Sequence, residues 1–108
     1  MEMNISQPDQ NTATIEMIGQ FWKNEELILF KKHIKELVDK GVNTIIIDLF
    51  RLSFISSQGL GLFVTTFSEL KKKDCELVLN RPKGCVKEMI DLSGFDMFMK
   101  IDDTKEGS

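Results

Sequence analysis

The sequence predicts a single α/β domain in which a mixed, mostly parallel sheet of four to five strands is joined by crossover helices. From residue 44 onward, strand-like and helix-like segments alternate, an order that calls for parallel strands with helices packed on the sheet. The 108 residues, of which 42% are hydrophobic, suffice for one core and not for two domains. We expect a core over about residues 3–101 and a frayed tail at residues 102–108.

The first segments predict two strands and a helix. Residues 12–18 alternate polar and apolar side chains and stop at Gly19, as a half-buried strand does. A shorter strand at residues 3–6 is expected to pair with it through a turn. Asn24 is the expected N-cap of the first helix, because acidic residues follow in its first turn, and Gly41 is its expected end.

The later segments complete the alternation. Residues 44–49 form a β-branched, nearly continuous apolar run, which is typical of a central strand covered on both faces. A second helical stripe follows and ends in three lysines, and residues 75–79 predict another strand. Pro82 is expected in the first turn of a third helix that ends at Gly94. Residues 98–101 predict a last short strand.

Composition and charge exclude several classes of protein. The net charge of -3 and the scattered lysines provide no basic surface for nucleic acid, and the apolar runs are too short for membrane insertion. The N-terminus is acidic where a secretory signal needs a basic region. Cys75 and Cys85 have the spacing of neither a redox pair nor a metal site. We therefore expect a cytoplasmic protein in which both cysteines are small core residues.

The most informative segment is residues 54–62, which read Phe-Ile-Ser-Ser-Gln-Gly-Leu-Gly-Leu. It places two hydroxyls and two glycines at a helix start, where amide donors are unpaired and the helix dipole is positive. Such a start suits a phosphate. In open α/β sheets the working surface lies beyond the carboxyl ends of the strands. We therefore expect either a modified serine or a plain helix cap here.

The order of these segments resembles the STAS domain of anti-sigma-factor antagonists. The resemblance covers most of the chain and rests on three stretches: Ile-Ile-Ile-Asp-Leu at residues 45–49, the run through Ser-Ser-Gln-Gly-Leu-Gly at residues 52–61, and the helix and Ser-Gly corner at residues 86–95. It implies a STAS fold and a regulatory role. It also implies a partner, an anti-sigma factor that is a serine kinase as well.

The resemblance implies phosphorylation of Ser57, since the family's acceptor serine falls there when the segments are aligned on Gly59. The chain departs from the family pattern around this position. Ser56 replaces the aspartate before the acceptor, Gln58 replaces a second serine, and Trp22 lies where the family often has an aspartate that reaches the phosphorylated loop. Two acidic groups that the family places around the serine are therefore missing.

Most of these residues also have a purely structural interpretation. Ser57 could be an N-cap bonded to an amide near Leu60, and Ser56 could be that cap or a second, less favoured acceptor. Gly59 and Gly61 are best explained by close backbone approach at the helix start.

The two aromatic residues before the first helix are expected to have different roles. Phe21 is a core residue, whereas Trp22 is either a core residue or an exposed aromatic anchor for a partner. His33 is expected to be a solvated helix residue. The predicted partner-binding residues are Trp22, Ser56, Ser57, Gln58, Gly59 and Leu60.

The sequence thus predicts a regulatory module that docks a kinase-type anti-sigma factor and is switched off by phosphorylation of Ser57. The alternative is a constitutive, unphosphorylated STAS scaffold subunit of a larger signalling or transport assembly. We expect no enzyme, cofactor or metal site, because no acid–base pair or nucleophile–base spacing is present. Family relatives usually have a further helix after the last strand, whereas this chain stops soon after Ile101. We therefore expect part of the sheet either to lie bare or to meet another copy of the chain.

Overall fold

The computed structural model describes residues 1–97 and 99–102 and contains six strands and three α-helices in that part of the chain. In chain order they are β1 (Glu2–Ser6), β2 (Thr12–Phe21), α1 (Asn24–Asp39), β3 (Thr44–Asp48), β4 (Leu52–Ile55), α2 (Ser57–Lys72), β5 (Glu76–Asn80), α3 (Gly84–Ser93), a short 3-10 helix (Phe95–Met97) and β6 (Lys100–Asp102).

The sheet is mixed and mostly parallel, as predicted. Its strands follow the order β1-β2-β3-β5-β6, in which β1 is antiparallel to β2 and the other pairs are parallel. The sixth strand, β4, was not predicted as a separate strand and pairs with the second half of β2. The described sheet therefore has six strands, one more than the upper number of five that we expected.

The end of β2 differs from the prediction. We expected the strand to stop at Gly19, but it continues to Phe21. Gly19 has a φ of +105°, and the register shifts between Gly19 and Gln20. Beyond this irregularity the strand pairs with β4, and Phe21 lies opposite Ile55. A glycine at a bulge redirects a strand without ending it.

The core lies between one face of the sheet and the helices. The inward side chains of the central strands are fully buried, as Ile15, Ile47 and Leu79 show at 0% exposure. The prediction that β3 is covered on both faces is wrong at Ile46, which is only half-buried. Alternate residues of a strand point to opposite faces. The two faces of this sheet are therefore unequally covered.

Three phenylalanines join β2 to the first two helices. Phe21, Phe30 and Phe63 are all 0% exposed. Their ring centroids are separated by 5.7 Å, 5.7 Å and 5.5 Å, so each ring contacts the other two. Aromatic pairs at such distances add stabilisation beyond the area that they bury. This cluster anchors the start of α1 and the first half of α2 to the end of β2.

Two helix starts were predicted at the wrong residue. The N-cap of α1 is Lys23, whose backbone amide donates to Glu26 Oε1 at 3.0 Å, so Asn24 is the first helical residue. The N-cap of α3 is Lys83, and Pro82 precedes the helix. The predicted helix ends at Gly41 and Gly94 are confirmed, with φ values of +93° and +77°.

The cysteines and the last strand also depart from expectation. Cys75 is half-buried, but Cys85 is exposed near the start of α3, so the prediction that both belong to the core is wrong for Cys85. The last strand was expected at residues 98–101. In the described residues it is Lys100–Asp102, paired with β5. Phe98 and residues 103–108, including most of the tail expected to be frayed, lie outside the described residues.

Replacing Phe30 by alanine should destabilise the protein strongly, by about 3–5 kcal/mol, because it leaves a cavity in the aromatic cluster. The matched control is Leu29→Ala on the same helix, where the side chain is 42% exposed and the change should stay within about 0.5 kcal/mol. Denaturant unfolding of both variants measures the difference. Similar losses for the two would contradict the role given to the cluster.

Candidate partner-docking site at the start of the second helix

The ends of β2 and β4 bring Trp22 and Ser56 to the same edge of the sheet. These strands are parallel neighbours, with Phe21 opposite Ile55. The pairing extends one step further, since the amide of Ser56 donates to the carbonyl oxygen of Phe21 at 3.1 Å. The residues that follow the two strands therefore emerge side by side at their carboxyl ends, where open α/β proteins place their functional loops.

Ser56 is the N-cap of α2. Its backbone is extended, with φ -79° and ψ 164°, and its Oγ accepts a hydrogen bond from the amide of Gly59 at 3.0 Å. Its carbonyl oxygen accepts from the amide of Leu60 at 2.9 Å. From the sequence, either Ser56 or Ser57 was a possible N-cap. The alternative in which Ser57 forms the cap is wrong, because Ser57 is the first helical residue.

Ser57 and Gln58 form the exposed first turn of α2. Their amides make no hydrogen bond within residues 1–97 and 99–102, as is usual for the first amides of a helix. The first turn contains no acidic side chain. The helix dipole and the free amides therefore make this turn locally positive in potential. An anionic group at the Ser57 hydroxyl would lie at a favourable position.

Gly59 brings the helix into direct contact with the end of β2. A Cβ at this position would lie 2.9 Å from Phe21 Cδ2, 3.0 Å from Ile55 Cγ1 and 3.2 Å from the carbonyl oxygen of Phe21. The predicted close approach is therefore confirmed for Gly59. It is wrong for Gly61, where an added Cβ would meet no atom within 4 Å. The two glycines have different physical roles.

The other predicted docking residues divide into exposed and buried positions. Leu60 is 5% exposed and belongs to the core, so its side chain holds the helix start in place. Trp22 is 48% exposed, whereas the neighbouring Phe21 is fully buried as predicted. The Nζ of Lys23 lies 5.7 Å from the centre of the Trp22 ring. The structure thus decides that Trp22 is a surface residue.

The sequence analysis missed exposed apolar residues on the first turns of α1. Ile28 is 59% exposed and Leu29 is 42% exposed. Ile28 lines the same surface depression as Gln58. A signal was present, because residues 27–30 are four consecutive apolar residues, and consecutive residues of a helix cannot all face its core.

A partly buried ion pair holds the loop after β3, at the carboxyl end of the parallel strands. Asp48 is 5% exposed, and its Oδ2 accepts from Arg81 Nη2 at 2.8 Å. Its Oδ1 accepts from the amide of Phe50 at 3.1 Å. The guanidinium group of Arg81 and the ammonium group of Lys83 lie 4.7 Å and 4.2 Å from the Phe50 ring centre. This arrangement fixes the loop that leads into β4.

The described residues contain neither a metal-ligand cluster nor a membrane-spanning helix. No three His, Cys, Asp or Glu side chains come together there as a set of metal ligands. None of the helices in that part of the chain is both long enough and apolar enough to cross a bilayer. His33 is partly buried on α1, with its Nδ1 3.8 Å from Glu36 Oε1.

Residues 26–107 match the sequence model of the STAS-domain family. The chain belongs to the STAS-domain family. Known structures with this fold overlay almost the whole chain. The Bacillus protein SpoIIAA, an anti-sigma factor antagonist, in its unphosphorylated form has a TM-score of 0.82 with 24% identity, covering 97% of this chain and 90% of that one.

Two further STAS-like relatives extend the comparison. A candidate anti-sigma factor antagonist from Thermotoga maritima has a TM-score of 0.81 and 25% identity, covering 94% of this chain and 86% of that one. BtrV of Bordetella bronchiseptica, named as a candidate anti-sigma factor antagonist, is 35% identical over 71 residues, or 66% of this chain. The chain spans 61% of the length of BtrV. The predicted STAS fold is thereby confirmed.

Gly59→Ala should destabilise the STAS domain by about 1–3 kcal/mol, because the new methyl group overlaps a backbone oxygen and two core side chains. Gly61→Ala is the matched control on the same helix. It has room for the methyl group and should stabilise by about 0.5–1 kcal/mol through helix propensity. Thermal and denaturant unfolding measure both. Equal effects of the two substitutions would show that the contact with Phe21 is unimportant.

Proposed function

We propose that this STAS domain is a regulatory module that docks an anti-sigma factor of the serine-kinase type through the loop before α2, and that phosphorylation of Ser57 switches the docking off. The observation that carries the proposal is the exposure of Ser57 at the first position of α2, beside a serine already engaged as the cap. The hydroxyl of Ser57 is thus available to a kinase, while the helix start stays intact without it.

The chemistry of the helix start supports a phosphate at Ser57. The amides of Ser57 and Gln58 are available as donors among the described residues, and no acidic side chain in the first turn repels the phosphate. A phosphoserine adds about -1.5 to -2 charge at neutral pH. That charge would lie beside Trp22 and Gln58, on a surface otherwise suited to apolar and polar contacts. Docking would then weaken by repulsion and by the cost of desolvating the phosphate.

Ser56 is a weaker candidate for the acceptor. It is half-buried, and its Oγ already accepts the capping hydrogen bond from Gly59. A kinase would have to open the first turn of α2 to reach this hydroxyl. Ser57 needs no such opening.

The proposed docking surface combines four exposed or half-exposed residues and two buried ones. Trp22, Ser56, Ser57 and Gln58 offer side chains to a partner, and an aromatic anchor such as Trp22 is typical of the centre of an interface. Gly59 and Leu60 act by holding the surface in place. The module itself would have no catalytic activity or cofactor, and ATP with its metal ion would belong to the partner.

A constitutive STAS scaffold is the second candidate function. It is favoured by the absence of the two carboxylates that the family places around the acceptor, since Ser56 and Trp22 occupy those positions. The loop geometry also depends on Gly59 and the cap and not on any modification. Such a scaffold would bind its partner in the cytoplasm whatever the state of Ser57.

Incubation with ATP and the anti-sigma factor kinase from the same organism should phosphorylate the wild-type chain at Ser57, as mapped by mass spectrometry. Ser57→Ala should abolish the modification, because the exposed hydroxyl is gone. Ser56→Ala is the matched control and should retain it. An unmodified wild-type chain, or a Ser57→Ala chain that is modified at Ser56, would rule out the proposed switch.

Ser57→Asp should weaken binding of the same anti-sigma factor by about ten-fold or more, equivalent to about 1.4 kcal/mol. Ser57→Asn has nearly the same shape without the charge and should bind nearly as tightly as the wild type. Calorimetric titration of each variant measures the affinities. If Ser57→Asp binds as tightly as Ser57→Asn, charge at this position does not control docking, and the scaffold is the better description.

A further inference from the structure

The three α-helices lie on one face of the sheet. From β2 the chain passes through β3 and β5 to β6, and each step moves toward the same edge of the sheet. Crossover connections between parallel strands are right-handed, so connections that move in one direction place their helices on the same face. The opposite face, which we call the open face, therefore carries no α-helix among residues 1–97 and 99–102.

Trp22 and Phe54 lie on the open face. Phe21 and Ile55 are 0% exposed and point toward the helices. Alternate residues of a strand point to opposite faces, so Trp22, which follows Phe21, and Phe54, which precedes Ile55, point away from the helices. Their exposed fractions of 48% and 41% agree with this placement.

The two exposed rings are diagonal neighbours on adjacent strands. Phe54 lies opposite Gln20 in the register of β4 with β2. Trp22 lies beside Ser56, because the amide of Ser56 donates to the carbonyl oxygen of Phe21. Diagonal neighbours on one face are within reach of aromatic and long side chains, so one side chain of a partner can contact both rings. We call Trp22 and Phe54 the aromatic pair.

The aromatic pair adjoins the proposed docking surface. Ser57 follows directly after Ser56, which lies beside Trp22. Nearer the start of β2, the open face carries the polar side chains of Thr12, Thr14 and Glu16. The exposed apolar surface of β2 and β4 on this face is thus found at the end where the loop before α2 begins. Exposed apolar surface bordered by polar residues is typical of a protein-binding site.

The charges around the aromatic pair indicate which side chain it can receive. Lys23 Nζ lies 5.7 Å from the centre of the Trp22 ring and already occupies the position of a cation over that ring. A second cation would be repelled, and a carboxylate would lose hydration against two apolar rings. A second copy of the chain would bring the carboxylates of Glu2 and Glu16, which lie on the open face, near their equivalents. An apolar side chain of a different protein is therefore favoured.

We infer that the aromatic pair binds an apolar side chain of the anti-sigma factor, so that the docking surface continues from the start of α2 onto the open face and Phe54 is a docking residue. This inference rests on the proposed function, because it concerns the same partner. The aromatic pair contributes affinity by burying apolar surface, whereas the charge state of Ser57 controls whether docking occurs.

Fluorine NMR of the full chain tests the inference directly. Trp22 is the only tryptophan, so incorporation of 5-fluorotryptophan gives one signal, which should shift when the unlabelled anti-sigma factor kinase from the same organism is added without ATP. Phe54→Thr, which keeps a residue that favours strands, should weaken binding by ten-fold or more. Leu92→Thr is the matched control, because Leu92 is 88% exposed on α3, and it should leave the affinity unchanged. Equal affinities for the two variants would overturn the inference.

A double-mutant cycle tests whether both rings contact the same partner side chain. Calorimetric titrations of Trp22→Ala, Phe54→Thr and the double variant should show a combined loss of affinity at least three-fold smaller than the product of the single losses. A loss equal to that product would mean that the two rings act independently, which contradicts the inference. Denaturant unfolding of the same variants should show that each remains folded.

Ser57→Asp separates this inference from the proposed switch. If Ser57→Asp weakens binding and Phe54→Thr does not, the inference is wrong and the switch is retained. If Phe54→Thr weakens binding and Ser57→Asp does not, the inference is supported and the switch is wrong. Self-association of the wild-type chain in sedimentation, lost in Phe54→Thr, would assign the aromatic pair to a second copy and overturn the inference.

Discussion

The close contact between Gly59 and the end of β2 determines how this STAS domain presents its surface. The first turn of α2 rests against the Phe21 ring and carbonyl oxygen, at distances that no larger residue allows. Phe21 in turn contacts Phe30 of α1 and Phe63 of α2. One aromatic cluster thus fixes the relative positions of both helices and the strand end. Close-packed interiors transmit such constraints because their side chains have little room to adjust.

The contact at Gly59 also gives the two adjacent serines different roles. With the first turn of α2 held against β2, Ser56 is positioned to cap the helix through the Gly59 amide, and Ser57 is left exposed as the first helical residue. A structural hydroxyl and a modifiable one are therefore neighbours in sequence with separate roles. The same geometry places Trp22 beside them, because parallel pairing of β2 with β4 continues as far as Ser56.

Features that depend only on residues close together in the sequence were predictable from the sequence. The strand at residues 12–18 and the helix ends at Gly41 and Gly94 follow from alternation and from glycines that adopt positive φ. Errors arose where tertiary pairing overrides local preference. Asn24 is a better cap than lysine by propensity, yet Glu26 caps the backbone one residue earlier. Gly19 looked like the end of a strand but is a bulge within one, because β4 pairs with the residues that follow.

The sequence by itself determined the α/β class, the STAS resemblance and the segment that contains the candidate site, since these depend on local periodicity and on the order of segments. Only the tertiary structure decided that Ser56 is the cap, that Gly59 but not Gly61 is sterically required, and that Trp22 is exposed. Each of these depends on atoms brought together from distant parts of the chain. Residue type and spacing alone do not specify which atoms meet.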